Sequence, residues 1–159
     1  MEPVTLQLFQ ASDQAAVKRL ILAGLVEHWG FLDETKNPDL DDIAASYAGA
    51  AFLVGRQGER IVGCGALVPR TSTTAEIVRM SVAKDLRQQG LGRQILGALL
   101  DHARAQGFQR VILETTATWS EVVSFYQRCG FHITHYQDGD VYFELEVNSS
   151  PAADTPGVG

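Results

Sequence analysis

Apolar and polar positions along this chain recur at two different periods. The period changes where glycine, proline or an Asx residue intervenes. Alternation marks a strand, because successive side chains point to opposite faces, and recurrence at three and four marks a helix. Val4 to Phe9 alternates and predicts a strand. Ser12 is a candidate N-cap for a helix in which Val17, Leu20, Ile21 and Leu25 share a face, with Gly30 as its stop. Asn37-Pro38-Asp39 predicts a second helix start: a cap, Pro at the first helical position and acidic residues in the first turn. That helix is expected to run to about Tyr47. Strands are expected over Ala51 to Arg56 and Arg60 to Val68, joined at Gln57-Gly58, and over Ala75 to Val82. The next helix places Leu91, Ile95, Leu99 and Ala103 on one face and meets Gly107 past its end. A strand over Val111 to Thr115, a helix over Trp119 to Arg128 stopped at Gly130, and a hairpin complete the series. The hairpin joins Phe131 to Tyr136 with Val141 to Val147 about Asp138-Gly139.

The sequence has no internal repeat. Helices lying between strands, closed by an antiparallel hairpin, predict an α/β (α+β) fold. Its mixed, mostly antiparallel twisted sheet would have about seven strands, flanked by about four helices. One domain over residues 1–147 is expected, followed by a Ser-, Pro-, Ala- and Gly-rich tail over residues 148–159 expected to be disordered.

Composition narrows the class without naming a function. The 159 residues suit one domain with a real core, and 45% hydrophobic with 20% charged residues is the balance of a globular protein. No apolar run approaches the ~20 residues of a membrane span, so no membrane partner is expected. Met1-Glu2-Pro3 carries no basic region of a secretory signal, which leaves the cytoplasm as the expected location. Two cysteines, Cys64 and Cys129, argue against a disulfide scaffold and a Cys-based zinc site. The four histidines have no metal spacing either. His102 is expected on an exposed helix face, while His132 and His135 should point to opposite faces of one strand. No metal cofactor is therefore expected. A net charge of −6 disfavours a nucleic-acid partner and suits a cationic one. A homodimer stays open.

Candidate chemistry begins at Arg87-Gln88-Gln89-Gly90-Leu91-Gly92, between the strand ending at Val82 and the helix opening at Leu91. The first amides of a helix lack partners within it, and the helix dipole adds positive character there. Glycines at 90 and 92 remove β-carbons that would hold a bulky anion away, so this turn predicts a phosphate seat. No Lys-Ser or Lys-Thr follows, so it is not a Walker A loop. Gly63-Cys64-Gly65 lacks the third glycine of a dinucleotide fingerprint and continues as strand.

Three features together resemble the GNAT superfamily of acyl-CoA-dependent N-acetyltransferases. They are the loop Arg87 to Gly92, the strand end Met80-Ser81-Val82, and Tyr126 followed by Gly130-Phe131. The resemblance is close over residues 50–146 and by element order before that. It implies acetyl-CoA as cosubstrate and a small-molecule amine or peptide amine as acceptor. It also implies that Met80 and Val82, flanking Ser81, pair through their backbone with the pantetheine arm, and that a backbone N–H near Met80 polarises the thioester carbonyl. Gln88, Gln89, Gly90, Leu91, Gly92 and Arg93 would hold the pyrophosphate. Of the arginines, Arg79 is expected to be merely solvated.

The same resemblance makes Tyr126 the general acid: a phenol of pKa ~10 can protonate a thiolate whose conjugate acid has pKa ~8.5, with hydrogen bonding assisting. Two bases compete. Glu114 sits among apolar residues of Val111 to Thr115, and its spacing to Tyr126 resembles the ribosomal-protein N-terminal acetyltransferase branch. Glu76 opens the preceding strand, and its spacing to Gly90 resembles the histone acetyltransferase branch. Glu114 is favoured because the sequence makes it look more enclosed. Trp119 departs from the family pattern: it stands where Asn commonly bonds the cofactor arm, and is expected to wall the acyl or acceptor pocket. His28-Trp29 lies where the family builds its acceptor wall. Asp33 and Glu34 are candidate contacts for a cationic amine entering between the first two helices and the hairpin, whereas Asp39, Asp41 and Asp42 are expected to complement a helix N-terminus. The competing function is a non-catalytic acyl-CoA-binding sensor or scaffold module, which would need the loop but neither Tyr126 nor a base.

Overall fold

The structure, a computed structural model, describes residues 2–32 and 36–148. Its seven strands are β1 Val4–Leu8, β2 Ala51–Gln57, β3 Arg60–Pro69, β4 Thr74–Val82, β5 Arg110–Thr116, β6 His132–Gln137 and β7 Asp140–Glu146. They hydrogen-bond in the order β1-β2-β3-β4-β5-β7-β6. The pairs β1/β2, β2/β3, β5/β7 and β6/β7 are antiparallel up to irregular steps, whereas β4 and β5 run parallel over Thr74↔Arg110 to Glu76↔Ile112; β3 and β4 are adjacent in the order. Four α-helices lie among the described residues: α1 Gln14–Trp29, α2 Ile43–Ser46, α3 Leu91–Ala105 and α4 Ser120–Arg128. These are the seven strands and four helices that the periodicity predicts, in the mixed, mostly antiparallel sheet that the family resemblance implies.

Two compact units divide the chain: one takes the residues up to Val68 with Val78–Leu99, the other Pro69–Ile77 with everything from Leu100 on. In the first unit, β3 is buried continuously from Ile61 to Leu67. Cys64 and Ala66 join Val17 and Ile21 of α1, Leu40, Ile43 of α2, and Phe52 and Val54 of β2 in one core cluster. Gly63 and Gly65 point the other way, toward α3. A β-carbon at Gly65 would lie 2.5 Å from Met80 Sδ and 3.1 Å from both Ile95 Cγ2 and Leu99 Cδ1. The glycine pair of β3 thus serves close packing of α3 and β4, not an anion. Gly65→Val should cost about 1–3 kcal/mol by overpacking. Denaturant unfolding reads this directly, and an unchanged midpoint would show that α3 packs more loosely than the structure has it.

The second predicted helix is broken. Pro38–Asp41 forms a 3-10 turn, Asp42 leaves the helical region at φ −149°, and α2 begins at Ile43. The cause is side-chain competition: Asp42 Oδ1 accepts from the Ala45 amide and restarts the helix. Similarly, α1 starts at Gln14, after a 3-10 turn over Ala11–Asp13 that includes the expected cap Ser12. Asp13 is buried and pairs with Arg56 of β2. Gly30 ends α1 in the left-handed region, as expected.

In the second unit, α4 directs Tyr126 into a core with Phe131 and Phe143. The hairpin turn has positive φ at both Asp138 and Gly139, the geometry that an Asp-Gly pair favours. No helix among the described residues is long and apolar enough to cross a membrane.

Candidate acyl-carrier and proton-transfer site

The glycine loop has the shape that its sequence predicts. A 3-10 turn over Lys84–Leu86 follows β4, Arg87 is extended, Gln88 takes φ 64° and Gly90 takes φ 90°. The Gln94 amide donates to the Gly90 carbonyl at 3.0 Å. The amides of Leu91, Gly92 and Arg93 precede that bond and have no acceptor within the helix. A β-carbon built on Gly90 meets no atom within 4 Å, so the space outside the loop is open to a ligand. Arg87, though exposed, braces the loop: Nη1 donates to Glu27 at 2.7 Å and Nε to the Val82 carbonyl at 3.2 Å. The hydrogen bond from Arg87 holds the Glu27 carboxyl below its ordinary range. Gln89 Nε2 donates to the Asp85 carbonyl, and Asp85 is gripped by both terminal nitrogens of Arg60. Arg93 is exposed, and no carboxylate among the described residues pairs with it.

The strand feeding the loop departs from the expectation for Arg79. Its guanidinium is not solvated but only 20% exposed, and it grips Asp39 with two bonds, Nε to Oδ2 at 3.0 Å and Nη2 to Oδ1 at 2.7 Å. Nη2 also donates to Asn37 Oδ1 at 3.1 Å, and the Tyr47 hydroxyl donates to Asp39 Oδ2 at 2.6 Å. Asp39 stands in the first turn of the Pro38–Asp41 3-10 helix, as expected, but its carboxylate is bonded to Arg79 and Tyr47. Asp41 pairs with Lys18, and of the three only Asp42 caps a helix start. Asp33 and Glu34 lie outside the described residues.

Tyr126 is 7% exposed, with its ring edge-on to Phe131 at 5.9 Å and tilted against Phe143 at 5.8 Å. Among the described residues its hydroxyl has no hydrogen-bond partner. Burial, with Cys129 adding to it, raises its pKa well above that of a free phenol, so it carries its proton throughout the neutral range.

The two glutamates reverse the expectation about enclosure. Glu114 is exposed, whereas the Glu76 side chain is 15% exposed and pairs with Arg70 Nε at 2.7 Å. Sequence could not show this, because it was the β4/β5/β7 register that decided which strand face is covered. Glu76 pairs across to Ile112, Ile112 to Glu144, Glu114 to Tyr142 and Thr116 to Asp140. Glu76, Glu114, Tyr142, Asp140 and Glu144 therefore share one face. Partial desolvation and the neighbouring Asp140 carboxyl push the Glu114 carboxyl up even though it is exposed, with the Tyr142 hydroxyl opposing and Glu76 adding repulsion.

A hollow of about 390 Å³ opens on this face, bordered by Glu76, Glu114, Tyr142, Glu144, Thr134 and His135. His135 stacks on Tyr142 with ring centroids 4.4 Å apart. Strict alternation fails here: a bulge between Ile133 and His135 sets His132 opposite Glu144 and His135 opposite Tyr142, so both histidines fall on one face. Even so, no metal-binding group is found among the described residues. Asp140, Tyr142 and Glu144 were missed in the sequence, where only the register of the closing hairpin could have pointed to them.

Met80 to Val82 and Arg87 to Arg93 belong to the first unit, and Glu76, Glu114, Trp119 and Tyr126 to the second. Trp119 stands at the N-cap position of α4, and its carbonyl accepts from the Val123 amide at 3.0 Å. Trp29 is the last residue of α1 and half exposed.

Residues 16–131 match the model of the acetyltransferase (GNAT) family. The chain is 30% identical over 147 residues to the uncharacterized N-acetyltransferase YjgM of Escherichia coli strain K12, covering 87% of this chain and 85% of that one. It is also 30% identical over 112 residues to N-acetyltransferase 8 of Homo sapiens, covering 65% of this chain but only 49% of that one. Among solved structures, a GNAT acetyltransferase of Staphylococcus aureus Mu50 superposes with a TM-score of 0.84 at 18% identity over 92% of this chain and all of that one. The yncA protein of Salmonella typhimurium, solved with its cofactor acetyl-CoA, superposes with a TM-score of 0.77 at 19% identity, covering 96% of this chain and 99% of that one.

Proposed function

The chain belongs to the GNAT acetyltransferase family, and from that we propose that it moves the acetyl group of acetyl-CoA to a primary amine by direct attack in a ternary complex. The observation that carries the cofactor assignment is the start of α3. Three amides there precede the first helical bond, and Gly90 leaves open the space in front of them where any β-carbon would stand. An anion such as the CoA pyrophosphate fits that cradle, with Leu91, Gly92 and Arg93 donating and the Arg93 side chain adding charge.

Acetyl-CoA supplies an activated thioester: the C–S bond breaks as the amine nitrogen forms the new C–N bond. This chain's residues position the reactants and move two protons. The backbone of Met80 and Val82, flanking Ser81, would hold the pantetheine arm, with an N–H near Met80 turned to the thioester carbonyl. The Tyr126 hydroxyl carries the proton for the departing sulfur. A carboxylate takes the proton that the amine loses.

Glu114 suits that base better than Glu76, although Glu76 is the more enclosed. The Glu76 carboxylate is held by an ion pair with Arg70, whereas partial desolvation and the neighbouring Asp140 carboxyl push Glu114 up and make it the better proton acceptor. The sign follows directly: a raised Glu114 is competent only above its raised pKa, so kcat is lost as pH falls through a range above that of an ordinary carboxylate. Glu114→Gln should lower kcat at neutral pH and recover partly as pH rises, because a free amine needs no base. Glu76→Gln should show no such rescue. A profile that follows Glu76 would move the base to β4.

The acceptor we propose is a small-molecule or peptide amine, often cationic. Glu76, Glu114, Asp140 and Glu144 give one face of the second unit a negative field that would attract it. A screen of amines, amino acids and peptides for free-thiol release from acetyl-CoA tests the whole reading. Tight CoA binding with no thiol release on any amine would favour the sensor or scaffold module.

A further inference from the structure

β4 carries an anomaly at its centre. Arg79 takes φ 57° inside a strand, in the left-handed region where a long side chain is strained. Such a conformation persists only where its surroundings over-determine it. Here the surroundings are explicit. Beyond the two bonds to Asp39 and the one to Asn37, the Arg79 carbonyl accepts from Cys64 Sγ at 3.3 Å, and Asp39 is held in turn by Tyr47. The neighbours on the gripping side are anchored too: Leu40 and Ile43 are fully buried in the core of the first unit, and the Tyr47 ring packs edge-on against Phe52 at 5.2 Å. A bidentate guanidinium–carboxylate pair fixes orientation as well as distance. The residue immediately after the kink is Met80.

We propose that Asp39, through its two-bond grip on Arg79, is a positioning residue for the acyl-CoA arm: it holds the left-handed kink of β4 that sets the direction of the Met80–Val82 backbone groups. This rests on the acetyl-CoA reading above and adds to it a residue far away in sequence. Asp39 touches no reacting atom. The segment Asn37 to Tyr47 then has a task besides completing the core, which is to set the geometry of a strand 40 residues later.

Calorimetry with CoA and hydrogen exchange of the free and CoA-bound protein test the idea. In the natural protein, CoA should slow exchange both at residues 79–82 and at residues 88–94. Asp39→Asn should bind CoA roughly tenfold more weakly, the effect of losing one charge-assisted hydrogen bond. Its added exchange should be confined to residues 79–82, with CoA protection of 88–94 retained at saturation. Arg79→Lys keeps the charge but loses the fork, and should fall between the two; it serves also if Asp39→Asn does not fold. CoA affinity in both variants within twofold of the natural protein, or exchange rising evenly across the first unit, would overturn the positioning role. No CoA binding or protection at either segment of the natural protein would instead overturn the acetyl-CoA reading itself.

Discussion

Gly90→Glu should abolish CoA binding, with affinity falling by at least about 10²-fold, because an anionic side chain set against phosphates costs several kcal/mol and each 1.4 kcal/mol is tenfold. Two effects act together. The new side chain would occupy the space that is open within 4 Å of a Gly90 β-carbon, and its charge would oppose the ligand at the point where the α3 amides attract it. Gly92→Glu should act in the same sense from the first turn of α3. No steric clash is expected at Gly90, since no protein atom lies within 4 Å of that space, but the left-handed φ of 90° should cost on the order of 1–3 kcal/mol of stability. Calorimetry with CoA, beside a thermal unfolding curve, separates the two. Undiminished CoA affinity in both folded variants would remove the phosphate seat from the start of α3.

Tyr126→Phe should lower kcat by roughly 10²-fold, the worth of a positioned general acid. The KM for acetyl-CoA should stay near its natural value. The substitution removes one oxygen from a side chain whose ring is already packed among Phe125, Phe131 and Phe143. Packing should therefore survive, and unfolding should shift little. Because burial keeps the Tyr126 proton in place through the neutral range, its loss should depress the rate evenly across neutral pH, without a new titration. That flat loss contrasts with the pH-rescued loss expected of Glu114→Gln. A Phe variant with the natural kcat on a good acceptor would leave Tyr126 as a core aromatic with no part in proton transfer.

What the chain determined by itself was local. Period-two runs became strands, Leu91, Ile95, Leu99 and Ala103 became the buried face of α3, and Gly30, Gly107 and Asp138-Gly139 turned the chain where their backbone preferences allow. The glycine loop was legible for the same reason: helix-terminal amides and a missing β-carbon are properties of a few consecutive residues. Tertiary structure decided whatever depends on partners distant in sequence. Arg79 reads as a surface arginine until Asp39 is brought to it, and the broken second helix depends on where Asp42 sends its side chain. The bulge before His135 shifts a face by one residue, which no alternation rule can foresee. The relative exposure of Glu76 and Glu114 was set by cross-strand register and by Arg70, because a carboxylate's surroundings come from neighbouring strands and not from the residues beside it in the chain.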